Sequence, residues 1–234
     1  MSTKAVLFDL VGTLIYVKDP VGYVYSNVAM SFGFKTDYKK LDYSFYEVIK
    51  TKNIPKDGEH EEKTWWREVV YETFKLSGYD LKEKFDDIFE YLFKEFTRKN
   101  AWGVYPEVIS VLEKLLTVVY CNKPLSIGLI SNFDSRLEII LQELGLKKYF
   151  HTLSYSGKVG FSKPDPQIFQ YALNELNIIP EEAIYIGDSL ESDYYPAMEL
   201  NINAVFIDRD KNLLKQVPTD VKTISNLNQI FDLI

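Results

Sequence analysis

With 234 residues, 46% of them hydrophobic and 26% charged, the chain has the composition of a globular protein of one large domain, or of a core carrying a smaller insertion. A formal net charge of −7 excludes the basic footprint that nucleic-acid phosphates require. A single cysteine, Cys121, excludes an internal disulfide and a cysteine-built zinc cage, and no apolar run approaches membrane-spanning length.

The start, Met-Ser-Thr-Lys, lacks a signal-peptide profile, so the expected location is the cytoplasm. The first expected strand covers 4–10 (KAVLFDL), an apolar run that ends on Asp9 and turns at once through Val11, Gly12 and Thr13. From 16 to 103 the pattern is helical throughout, with segments near 20–33, 39–52, 61–77 and 81–99 parted by turns such as IPKDGE and LSGYD. This block holds Trp65, Trp66 and Trp102, and it reads as a second, smaller domain placed over one end of a sheet. Beyond it, helices alternate with strands. Helix 106–117 precedes strand 124–130, helix 134–144 precedes strand 151–155, and helix 166–176 precedes strand 182–187. A helix at 190–200 and a strand at 203–207 follow. Such alternation predicts an α/β fold, a Rossmann-like, doubly wound parallel sheet, with sites at the carboxyl ends of its strands.

Four short motifs fall just after strands or in loops. Asp9, followed by Gly12-Thr13, suits nucleophilic attack, and Thr13 offers a hydroxyl and an amide to an oxyanion; the plain alternative is a loop cap. Ser131 and Asn132 in LISNFD are placed to bond a phosphoryl group, or else to cap the next helix. Lys163 in FSKPDP would lower the pKa of a neighbouring carboxylate and neutralise substrate charge, although most lysines are solvated surface groups. Asp188 and Asp193 in IGDSLESD, together with Asp9, offer hard oxygen ligands for Mg²⁺, or again helix caps. For Trp65 and Trp66 the expectation is apolar packing within the helical block or onto the core.

Taken in this order, the four motifs resemble those of the haloacid dehalogenase superfamily of hydrolases. The stretch WWREVVYETFKLSGY, 65–79, is also similar to the cap sequence of dehalogenase-like hydrolase-domain proteins whose first motif reads Asp-x-Val-Gly-Thr. The resemblance implies a hydrolase core from 1–15 and 104–234 and a helical cap domain from 16–103. It implies a Mg²⁺-dependent phosphatase for small phosphorylated metabolites that works through an aspartyl-phosphate. In that reading Asp9 is the nucleophile, and Thr13, Ser131 and Asn132 hold phosphoryl oxygens. Lys163 neutralises charge, while Asp9, Asp188, Asp193 and the backbone carbonyl of Val11 hold the metal.

The chain departs from the family at Val11, where the phosphatases carry a second aspartate that protonates the leaving group. Valine keeps the carbonyl and loses the acid, a loss of roughly 10²–10⁴-fold, or about 3–5 kcal/mol of barrier. The loss falls on poor leaving groups such as sugar alkoxides and spares aryl phosphates, acyl phosphates and anhydrides. Three other readings are weighed. A 2-haloacid dehalogenase needs no second aspartate but carries no acids like Asp188 and Asp193. A binding or regulatory protein would keep the fold with little catalysis. A phosphonate hydrolase would need a cap lysine as an imine former, a role for which Lys35 is conceivable but which no sequence feature supports. Monomer and homodimer both fit an aromatic-rich cap.

Overall fold

The computed structural model describes residues 3–52, 58–120, 123–209 and 217–234. Cys121 and most of the IPKDGE turn lie outside the described residues. Strand β1 (Ala5–Phe8) is wholly buried and alternates between two cores: Val6 and Phe8 pack on one face of the sheet, Ala5 and Leu7 on the other. Burial on both faces is why this segment reads as one continuous apolar run. After Asp9 the chain reverses, with Leu14 N–H donating to Leu10 O and Gly12 N–H donating to Ile15 O, and enters strand β2 (Ile15–Val17). The expected strand over 4–10 therefore stops at Phe8.

Four helices follow: α1 (Val21–Ser31), α2 (Tyr38–Thr51), α3 (Gly58–Leu76) and α4 (Phe85–Glu95). The last expected helix, 81–99, is shorter than its pattern. Lys82–Lys84 forms a 3₁₀ turn before Phe85, and the chain after Glu95 tightens into turns through Phe96, Thr97 and Arg98. The four helices share an apolar cluster of their own, built on Tyr25, Leu41, Val69, Phe74, Ile88 and Leu92. Strand β3 (Trp102–Val104) then pairs antiparallel with β2, Ile15 opposite Val104 and Val17 opposite Trp102. The helical insert thus leaves and rejoins the sheet region through two adjacent connections.

The rest of the chain builds the sheet and its flanking helices. Helix α5 (Val108–Leu115) leads to a small antiparallel pair, β4 (Val119–Tyr120) with β5 (Lys123–Pro124), and then to β6 (Ser126–Ser131). Next come α6 (Leu137–Glu143), β7 (Thr152–Tyr155), the short α7 (Ser156–Val159), α8 (Pro166–Leu176) and β8 (Ala183–Gly187). The chain ends with α9 (Tyr195–Glu199), β9 (Asn203–Ile207) and β10 (Thr223–Ile224), the last a strand with no counterpart in the expected pattern. Six strands form one parallel sheet in the order β10-β9-β8-β1-β6-β7, with β1 between β8 and β6. This is the α/β, doubly wound architecture expected, and its motif loops leave the carboxyl ends of the central strands.

Two helix boundaries differ from the sequence pattern for local reasons. The helix expected at 134–144 starts at Leu137, because the Asp134 side chain accepts from Arg136 N–H and turns the preceding residues into a loop. The helix expected at 190–200 is split into a wide π turn, Leu190–Tyr194, and α9. Pro196 has no N–H to continue an α-helix from 192, and the amides of Asp193 and Tyr194 both bond Ser189 O, at 3.1 and 3.0 Å.

Candidate active site

Three parallel strands deliver the central polar groups. Asp9 follows β1, Ser131 is the last residue of β6, and Asp188 follows β8. Lys163 comes from the loop before α8 and reaches into the middle of them. Its Nζ lies 2.6 Å from Asp9 Oδ1, 2.6 Å from Asp193 Oδ1 and 3.1 Å from Tyr185 Oη. Asp9, Ser131, Lys163 and Asp193 are all buried. The Tyr185 hydroxyl also donates to Asp193 Oδ1 at 2.6 Å, and Ser189 N–H donates to Asp193 Oδ2 at 3.0 Å. A cleft of about 180 Å³ opens over this cluster, lined among others by Asp9, Val11, Ser131, Asn132, Lys163 and Asp188.

Two glycines make the approach possible. Gly12 sits at φ +89°, and a Cβ there would fall 2.0 Å from Asp188 Oδ2. A Cβ on Gly187 would fall 2.3 Å from Asp193 Cγ. Any larger residue at either position would push a carboxylate out of the cluster.

The electrostatics are those of a site short of positive charge. Burial works against the charge on Lys163, but Asp9 and Asp193 outweigh it and hold its pKa above the usual lysine value. Burial raises the Asp9 carboxyl, Lys163 pulls it back and Asp193 adds an upward push; the net shift is upward. Asp188 opens to solvent on one side. Desolvation at the cleft floor, and then the charges of Asp9 and Asp193, push its pKa up to about 7. One carboxylate oxygen from each of Asp9, Asp188 and Asp193 lies within 4.8 Å of the others. A single ammonium faces three acids, so a hard divalent cation fits the donor set and would relieve the repulsion.

Other expected residues are placed differently. Thr13 does not line the cleft: it is fully buried, its hydroxyl has no hydrogen-bond partner, and its carbonyl accepts from Arg209 Nη2. The turn at Gly12 carries the threonine past the opening. Asn132 lines the cleft, but its side-chain amide grips the main chain of Lys163, accepting from Lys163 N–H at 2.6 Å and donating to Lys163 O at 2.9 Å. That pairing fixes the lysine. Lys35 is exposed and is not among the residues lining the cleft. Trp66 does more than pack, since its Nε1 donates to Asp134 Oδ2 at 2.6 Å.

Sequence reasoning missed Tyr185, Asp134 and Arg136. Tyr185 is hidden in the apolar alternation of β8, where Ile184 and Ile186 face one core and Tyr185 the other. Asp134 and Arg136 form a buried ion pair at 2.5 Å beneath the helical insert. Nothing in their local sequence distinguishes them from a helix start.

Comparison with known proteins agrees with this fold. The family model of the haloacid dehalogenase-like hydrolases matches residues 3–197. Haloacid dehalogenase-like hydrolase domain-containing protein 3 of Mus musculus is 30% identical over 213 residues, covering 88% of this chain and 82% of that protein. The protein of the same name from Homo sapiens is 31% identical over 199 residues, 83% of this chain and 77% of that one. Among solved structures, a HAD phosphatase from Thermococcus onnurineus superposes with a TM-score of 0.67 at 25% identity, over 99% of this chain and 97% of that one. A 2-haloacid dehalogenase from Pseudomonas syringae superposes with a TM-score of 0.66 at 21% identity, over 99% of this chain and 97% of that one, a likeness of fold. By the extent of the family match and the shared sequence, this chain belongs to the haloacid dehalogenase-like hydrolase family.

Proposed function

We propose that the chain is a Mg²⁺-dependent phosphatase acting on small phosphorylated metabolites through an aspartyl-phosphate on Asp9. The observation that carries this reading is the Lys163 ammonium held at 2.6 Å from both Asp9 and Asp193 at the floor of an open cleft. Asp9, Asp188, Asp193 and the Val11 carbonyl would hold the cation, which supplies charge neutralisation at the phosphoryl oxygens when bound. Asp9 attacks phosphorus as the bond to the leaving oxygen breaks. Water then attacks phosphorus, the bond to Asp9 breaks, and inorganic phosphate is released. Lys163 keeps Asp9 oriented and offsets charge on the phosphoryl group, Ser131 offers its hydroxyl to a phosphoryl oxygen, and Asn132 holds Lys163 in place. Val11 neither gives nor takes a proton, so the leaving group departs as an anion. In this reading residues 16–103 act as a cap domain over a core of 1–15 and 104–234.

Hydrolysis of p-nitrophenyl phosphate tests the proposal. Activity is expected with Mg²⁺, with loss of at least about 10³-fold in Asp9→Asn or after metal removal. Activity independent of both would overturn it, and release of chloride from 2-haloacids would point to a dehalogenase instead. Val11 also favours a second reading, a binding protein of the same fold, which silence in both assays would support.

A further inference from the structure

Three adjoining cavities run from Asp9 into the helical insert. The acidic cleft shares Val11 and Asn132 with a second cavity of about 320 Å³, walled by Ile49 of α2 and by Trp65 and Trp66 of α3. The second shares Phe45, Trp66 and Phe133 with a third of about 220 Å³, which includes Val21. Apart from Glu62 Oε1, a buried oxygen with no partner, the charged groups on these walls are engaged. Arg136 is spent on Asp134, Lys52 pairs with Glu68 and Glu72 at 3.1 and 3.2 Å, and Glu62 Oε2 accepts from Ser135 N–H at 3.0 Å. Among the described residues no lining cation is left for a second phosphate or a carboxylate, and the walls, Glu62 Oε1 aside, are mostly aromatic and aliphatic, a poor match for a polyol. Trp65 Nε1 is a buried donor with no partner, able to meet one acceptor on a bound ring.

Resting on the phosphatase reading above, we propose that the substrate class is the phosphate monoester of a phenol carrying an apolar substituent. The phosphoryl group sits over Asp9, the ring against Trp65 and Trp66, and the substituent in the third cavity. The two lines of argument are independent and meet at Val11. That residue withholds a proton, which only a stabilised leaving oxygen tolerates, and it opens onto an aromatic wall. The bond from Asp9 to phosphorus forms as the aryl oxygen–phosphorus bond breaks. The electron pair leaves on the phenolate, which takes its proton from water afterwards.

The test compares kcat/KM, with Mg²⁺, for phenyl phosphate, 4-butylphenyl phosphate, butyl phosphate and glucose 6-phosphate. The 4-butyl group is expected to raise kcat/KM by about tenfold or more over phenyl phosphate, with the two alkyl esters far below both. Val21→Phe, which fills the third cavity, is expected to cut that gain to under about threefold. Ile49→Phe, in the second, is expected to lower it as well and serves if the first variant does not fold. Equal rates for the two aryl esters, or a preference for glucose 6-phosphate, would overturn the proposal while leaving the phosphatase standing. Binding is read separately, by titrating 4-butylphenol against the fluorescence of Trp65, Trp66 and Trp102. Saturable quenching without turnover of any ester would overturn the phosphatase and keep the apolar ligand site. Neither quenching nor turnover would overturn both.

Discussion

Val11 is the residue on which the chemistry turns. It stands at the junction of the acidic cleft and the aromatic cavity, half-buried, with a side chain that has no proton to trade. Val11→Asp places a carboxyl on the wall of the cleft that Asp9 and Asp188 also line, where it can donate a proton to the leaving oxygen. Turnover of butyl phosphate relative to phenyl phosphate is expected to rise by roughly 10²-fold or more in this variant. An unchanged ratio in steady-state assays would show that position 11 does not limit leaving-group expulsion. The residues that converge here were legible in the sequence because each interrupts an apolar strand end with a polar group: Asp9, Ser131 and Asp188. Lys163 was legible only through its company, since nothing about a lysine before proline announces a buried ammonium. The position of Thr13, buried and not lining the cleft, was not legible, because one-dimensional order does not reveal which way a chain turns after a glycine at positive φ.

At the scale of elements, the helical insert is fastened to the loop after β6. Asp134 accepts from Trp66 Nε1 of α3, from the Arg136 amide and from the Arg136 guanidinium, whose Nη1 also donates to Phe93 O of α4 at 3.3 Å. The guanidinium lies over the rings of Phe93 and Trp66, 4.2 and 5.1 Å from their centroids. Breaking such a buried pair leaves one charge stranded, whereas removing both leaves none. Asp134→Ala is therefore expected to lower the unfolding free energy by about 3–5 kcal/mol, and Asp134→Ala with Arg136→Met to recover most of it. Urea unfolding of the two variants measures this, and equal losses would mean that the pair contributes through packing alone. The strands and most helices could be read from apolar periodicity. The clasp could not, because its members lie on α3, α4 and the 132–136 loop, and only their packing makes an aspartate, an arginine and a tryptophan one unit. The same limit hid β2 and β3, three residues each, which pair across 84 residues of intervening chain.

Over the whole molecule, the folded chain concentrates unfavourable charge at one point, and this should be visible in its stability. Folding raises the Asp188 pKa from the ordinary carboxylate value of 3.8 to about 7, so below pH 7 the folded state holds a proton that the unfolded state releases above about 4. For an acid shifted upward, stability therefore falls as pH rises from about 4 to 7, and above 7 the full cost of three ionised acids around one lysine is present. The raised Asp9 carboxyl has the same sign. A divalent cation competes with that proton, and its stabilisation grows as the proton leaves. The rise in Tm on adding Mg²⁺ is thus expected to be several-fold larger at pH 8 than at pH 6. Asp188→Asn should raise the Tm of the metal-free protein at pH 8 and abolish most of the Mg²⁺ response. Equal Mg²⁺ shifts at the two pH values, followed by differential scanning fluorimetry, would mean that the cation and the Asp188 proton do not share a site. The charge surplus would then be a feature of substrate binding alone.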